Sequence, residues 1–170
     1  MHLPPLMLGG IEIVQLSAGA ADLDEEAIGG STVLRMSNGA AVKMTRWEKM
    51  SGTISGLGHQ PPGLDGLNYK EPLELRSTQI NSMQGEGLVF TLPSTPRPDK
   101  APWAYALIGR DWMDAEVSTV AGVSTVTAVP GAALYQVWWC PVYSVFARRP
   151  PKSQSNATAM HGWSIPWEEA

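Results

Sequence analysis

Three histidines, His2, His59 and His161, are scattered along the chain, and Cys140 is its one cysteine. A zinc centre draws on closely spaced His and Cys ligands, as in H-x3-H, H-E-x-x-H or paired C-x2-C patterns. No such spacing occurs, so no metal ligand is expected. Asp22, Asp24, Glu25 and Glu26 open like a calcium-binding loop, yet the sixth position is Ala27 and the twelfth Val33, where Gly and Glu are required. The run reads as a solvated turn. Gly52-Thr53-Ile54-Ser55-Gly56 puts its serine one place too late for a nucleophile elbow, and Gly56-Leu57-Gly58 leads into a Pro-Pro loop instead of a phosphate-binding helix. Cys140 lies in an aromatic strand, where a thiol packs as a small hydrophobe. Asn156-Ala157-Thr158 matches a glycosylation acceptor that has no meaning without a secretory route. The reading is therefore a protein that is not an enzyme, with no catalytic residue, metal or cofactor. A small cell-wall hydrolase would need a polar constellation around His59 and Asp65.

The tryptophans carry more information, since Trp faces serve either as interface anchors or as platforms for sugars. Trp138 and Trp139 are neighbours on one strand and point to opposite faces, so at most one belongs to the core. Trp163 and Trp167 flank Pro166 on a polar tail, a pattern suited to docking in a neighbour's groove. With Ile11 and Ile13 of an N-terminal strand, these four tryptophans are the expected interface residues. The first strand is also placed to add to another subunit. A carbohydrate or receptor-binding module, the alternative, would instead gather two or three Trp or Tyr rings on one exposed concave surface.

Composition points to assembly. The chain has 170 residues, enough for a single β-rich domain spanning 1–170, with arms at 1–30 and 148–170 held by neighbours. Charged residues make up only 16%, against about 25% in ordinary globular proteins, while Trp and Met number 7 and 8. Large amphipathic side chains on a weakly charged surface need partners to cover them. A net charge of −4 argues against binding by phosphate neutralisation and leaves DNA as no more than a passing neighbour. A lone cysteine excludes an intrachain disulfide and fits synthesis in a reducing cytoplasm. The apolar N-terminus lacks a basic region and is broken by Pro4 and Pro5, unlike a signal peptide. No run approaches the roughly 20 apolar residues of a membrane span, so no membrane partner is expected.

Periodicity and turn residues predict seven to nine short strands and at most one short helix, in an all-β antiparallel sandwich or barrel with long loops. Asn38-Gly39 predicts a type I′ hairpin within 31–44, with Leu34, Met36, Val42 and Met44 sharing a core face and Arg35 and Lys43 pointing outward. The second strand runs on towards Ile54. Residues 20–27 have the composition for one helical turn, and 56–68 for a structured loop. Strands are expected at 72–76, 87–92, 103–108 and 134–146, the last with Pro141 at an edge or bulge. Trp103, Tyr105 and Leu107 would share one face and Ala104 and Ala106 the other. The proline-rich stretch 93–102 reads as an exposed connection, and the repeated Val-Ser-Thr-Val at 117–120 and 123–126 as strands about a tight bend. Residues 148–162 read as a polar loop.

The segment 30–76 carries Gly-Ser-Thr-Val-Leu-Arg-Met-Ser-Asn-Gly, Arg-Trp-Glu-Lys-Met-Ser-Gly-Thr-Ile-Ser-Gly, Pro-Pro-Gly-Leu-Asp-Gly-Leu and Pro-Leu-Glu-Leu-Arg. It resembles small virion proteins encoded among the tail genes of long-tailed bacteriophages. Trp138-Trp139-Cys140-Pro141 and His161-Gly162-Trp163 are similar to the ends of the same proteins. The resemblance implies a β-sandwich subunit of the tail tip or baseplate ring, of the distal-tail kind, made in the host cytoplasm and ending in the virion. Its partners would be copies of itself in a ring and other tail proteins. Neck and capsid-decoration proteins share the same composition.

Overall fold

The computed structural model describes residues 4–19 and 21–170. The chain is all-β with antiparallel sheets and no closed barrel. A first hairpin, β1 (Met7–Leu8) and β2 (Ile11–Glu12), leads into a four-residue helical turn, α1 (Gln15–Ala18). Then come two long strands, β3 (Asp22–Arg35) and β4 (Ala41–Gly58). Shorter ones follow: β5 (Leu73–Arg76), β6 (Asn81–Gly85), β7 (Val89–Thr91), β8 (Trp103–Ile108) and β9 (Asp111–Ala115). After β10 (Val117–Val120) and β11 (Val123–Val126), the chain ends with β12 (Ala132–Trp139), β13 (Val142–Ala147), β14 (Lys152–Ser155) and β15 (Met160–Glu169). The expected helical turn at 20–27 is instead the start of β3, and the turn that does form lies upstream. The chain divides into two compact units, each assembled from separate stretches: Met1–Glu12 with Glu74–Tyr143, and Ile13–Leu73 with Ser144–Ala170.

The first unit contains a sandwich. A four-stranded sheet, β6-β12-β8-β9, and a three-stranded sheet, β10-β11-β7, enclose Phe90, Leu92, Ala104, Ala106, Val126, Tyr135, Val137 and Trp139. Strict alternation along β12 sends Tyr135, Val137 and Trp139 inward and leaves Leu134, Gln136 and Trp138 on the outer face. The expected division of β8 holds, and the alanines take the inner face. Ala104 stands opposite Val137 and Ala106 opposite Tyr135, so small residues make room for the large ones beside them. The polar atoms of the large rings are satisfied: Trp139 Nε1 donates to Ser94 Oγ at 2.9 Å, and the Tyr135 hydroxyl accepts from the Val129 amide at 3.0 Å. Pro141 does not sit inside one long strand. The run expected at 134–146 breaks at Cys140 and Pro141 into β12 and β13, and Pro141 forms a lone bridge with Pro96.

The repeated Val-Ser-Thr-Val forms a hairpin with itself, Val117 facing Val126 and Val120 facing Val123. Ala121 and Gly122 both have positive φ, 50° and 79°, so the type I′ conformation belongs to this turn. At Asn38-Gly39 only Gly39 is left-handed, at 83°. Its amide donates to the Met36 carbonyl and the Met36 amide to the Ala40 carbonyl, each at 2.9 Å. The result is a three-residue turn ending in a glycine bulge, not the expected two-residue type I′.

In the second unit the strand order is β13-β15-β4-β3, with β14 pairing β15. β15 therefore lies between two neighbours, and the polar tail expected to be an arm is a central strand. Trp163 faces Gly56, Ile165 faces Ile54 and Trp167 faces Gly52. All of these Trp and Ile side chains are buried, and Trp163 Nε1 donates to the Ala18 carbonyl at 3.0 Å.

Candidate interaction surfaces

The register that pairs β3 with β4 puts Leu34 opposite Val42 and Thr32 opposite Met44, so the four apolar residues expected on one face do share it. That face is not core. Leu34, Met36 and Met44 are 53%, 58% and 49% exposed, and every residue from Ser31 to Glu48 is exposed. β4 pairs β15 only from Ser51 to Gly58, so beyond that stretch each hairpin strand keeps one edge open. Val33 is exposed on the opposite face, beside its partner Lys43. Near the base the ladder slips by one residue, with Arg46 and Trp47 together opposing Gly30. The Trp47 indole lies over Gly30, where a Cβ would stand 2.7 Å from Nε1. Four cations, Arg35, Lys43, Arg46 and Lys49, and one anion, Glu48, give 31–50 a net charge of +3. With the whole chain at −4, the remaining residues carry −7.

A second exposed feature is β9, which among the described residues is an edge strand paired with β8 alone. Asp111, Trp112, Met113 and Asp114 are all exposed there, Trp112 at 42% and Met113 at 54%. On the outer face of the same sheet Trp103, Tyr105 and Trp138 form a half-buried aromatic cluster. Trp103 and Trp138 lie 6.1 Å apart at 58°, and Tyr105 meets Trp138 edge-on at 5.3 Å and 72°. Lys100 Nζ sits 5.1 Å from the Trp103 ring centre. The tilted rings cover one another and do not present the coplanar platform that a pyranose ring stacks upon.

The six expected interface residues are not brought together. Trp139, Trp163, Trp167 and Ile13 are at most 4% exposed and serve the interiors of their own units. Ile11 and Trp138 are half-buried, Ile11 on β2 and Trp138 in the aromatic cluster. The expected N-terminal strand shortens to β2, where Ile11 and Glu12 pair Leu8 and Met7 of β1 at the end of the sheet, and Ile13 lies just beyond it. Polar character alone misassigned β15, because a central strand needs only one apolar face. Gly52 and Gly56 stand four residues apart, as do Trp163 and Trp167, and that matched spacing was the readable signal.

Two polar clusters lie apart from these surfaces. Asp65 is ion-paired with Lys152, and its carbonyl accepts from Arg149 at 3.3 Å. His59 is exposed and His161 half-buried. Among the described residues, no group of three His, Cys, Asp or Glu side chains could hold a metal. Within the loop expected to be an exposed connection, Arg97 is 2% exposed. Its guanidinium donates to Asp99 Oδ1 and Oδ2 at 2.9 and 2.7 Å, and to the carbonyls of Arg76 and Ser77 at 3.2 and 3.0 Å. The Arg97 amide donates to the Cys140 carbonyl at 2.9 Å. One side chain thus ties the proline-rich loop to the end of β5, and this was invisible in local composition.

No protein-family model matches the chain, and no curated protein matches it.

Proposed function

We propose that this chain is a structural subunit of a bacteriophage tail, which associates with copies of itself and contacts unlike tail proteins. The observation that supports self-association is the outer half of the β3–β4 hairpin, with apolar side chains exposed on both faces and not covered by any of the described residues. The tail assignment rests on the resemblance of 30–76 to phage tail-gene products.

Magnitudes define what kind of association this is. Val33, Leu34, Met36, Val42, Met44 and Trp47 are each roughly half exposed. Covering the rest gains about 1 kcal/mol per side chain, or about 6 kcal/mol in all. Association costs at least about 4 kcal/mol. A single hairpin contact is therefore weak, and assembly requires charge complementarity or closure of several contacts into a ring.

Light scattering on the intact chain across a concentration series tests self-association. Mass should rise with concentration in the wild type and stay at the monomer in Leu34→Asp/Val42→Asp. A wild type that stays monomeric throughout would defeat this part of the reading. Mass spectrometry of purified virions, with antibody labelling in the electron microscope, tests the tail assignment, and absence from the particle would overturn it.

A further inference from the structure

We infer that the hairpin of one copy docks along the free β9 edge of another copy. The inference deepens the proposed self-association and rests on it. Three observations point to the same pair of surfaces.

The first is charge. The hairpin is the basic part of an acidic chain, with Arg35, Lys43, Arg46 and Lys49 against Glu48. Asp111 and Asp114 on β9, with Glu116 just beyond, oppose that sign, Arg110 being the only cation among 109–117. Opposite potentials steer encounter and select register.

The second is apolar content. Acids on an edge strand ordinarily guard it against pairing. Here they bracket Trp112 and Met113, both exposed, and an edge protected by charge has no need of an exposed Trp-Met pair. Trp and Met are also the residue types enriched at the centres of interfaces, with a charged rim around them. The hairpin offers an apolar stripe of Leu34, Met36, Val42 and Met44, with Arg35 and Lys43 on the reverse face.

The third is the backbone. Among the described residues, the outer edge of β9 has no strand beside it and the hairpin has open edges in its outer half. Strand addition would satisfy both sets of amides and carbonyls at once. The two surfaces differ, so the contact is heterologous: each copy gives a hairpin and receives one, and the chain of contacts closes into a ring or continues as a filament.

The test uses full-length protein in sedimentation velocity at several concentrations. Lys43→Glu/Arg46→Glu and Asp111→Lys/Asp114→Lys should each associate at least tenfold more weakly than wild type. An equimolar mixture of the two variants should recover association beyond a dimer, because each variant alone sets like charges against each other, whereas in the mixture the native hairpin meets a native β9 edge and the two reversed surfaces are again opposite in sign. A second measurement does not depend on those charges: Met44→Cys and Met113→Cys copies, mixed and oxidised, should cross-link to each other more than either does to a Val89→Cys copy. The buried Cys140 gives little background. If the β9 variant associates as wild type does, or the Met44→Cys and Met113→Cys copies fail to cross-link preferentially, the acceptor is wrong while self-association stands. A wild type that is monomeric at every concentration overturns both.

Discussion

Trp163 occupies the space that a side chain at Gly56, its partner across the ladder, would need: a Cβ there would stand 2.6 Å from Trp163 Cζ2. The same relation recurs four residues along, where a Cβ on Gly52 would stand 2.9 Å from Trp167 Cζ2 and would also strike the Asp24 carbonyl. Gly56→Val should therefore destabilise the protein by about 2–3 kcal/mol through overpacking. Urea denaturation followed by Trp fluorescence measures this, and an unchanged midpoint would show that the indole can move aside.

Removing the ring instead of crowding it should cost more. Trp163→Ala empties a buried site and deprives the Ala18 carbonyl of its donor, for a loss of about 3–5 kcal/mol. Substitutions of exposed hairpin residues such as Val33→Thr should stay within about 0.5 kcal/mol by the same denaturation. Equal losses at the two places would contradict the assignment of Trp163 to the interior and of the hairpin to the surface.

The Arg97 guanidinium, by hydrogen bonding first and by charge second, holds the Asp99 carboxyl below its ordinary value, against the opposing effect of burial. A carboxyl lowered in the folded state contributes stability that is fully present above its unfolded value, about 3.9, and is lost as pH falls through the folded value. The stability gap between wild type and Asp99→Asn should thus be constant near neutrality and narrow below about pH 4. A gap that stays constant down to pH 2 would remove Asp99 as a pH-dependent contributor. Arg97→Ala, which strips donors from two carbonyls and a carboxylate, should cost about 3 kcal/mol at pH 7.

Ala121 holds a left-handed conformation, at φ 50°, that costs a residue with a Cβ about 1 kcal/mol. Ala121→Gly or Ala121→Asn should raise the melting temperature by a few degrees in differential scanning calorimetry. A fall would mean that the β10–β11 turn gains more from the alanine methyl than it loses in strain.

Much of this fold was legible wherever alternation ran unbroken. The division of β7, β8 and β12 into two faces follows from period two alone, as does the shared face of Leu34, Met36, Val42 and Met44. What periodicity does not say is what covers a face. Those four residues and Trp139 are equally apolar, yet only Trp139 meets another sheet. Exposed Val33 on the reverse of the hairpin, and cations concentrated on an acidic chain, were the local hints that this hairpin leaves the body. Turn conformation was harder: Asn38-Gly39 tolerates type I′, but the ladder admits a third turn residue, and Ala121-Gly122 took the conformation in its place. Arg97 could not be found locally, because all that distinguishes it is contributed by Arg76, Ser77 and Cys140, which lie about 20 to 40 residues away.

The insertion of β15 between β13 and β4 also sets an order of events during synthesis. The β3–β4 hairpin can form once β4 has left the ribosome, but the inner edge of β4 meets its partner only when His161 to Glu168 arrive, roughly 100 residues later. At about 5–20 residues per second that edge, with Ile54 at its centre, stays without its neighbour for about 5–20 seconds. The nascent chain therefore carries an adhesive strand through most of its translation, and chaperone capacity in the producing cell should govern its soluble yield more than the stability of the finished fold does.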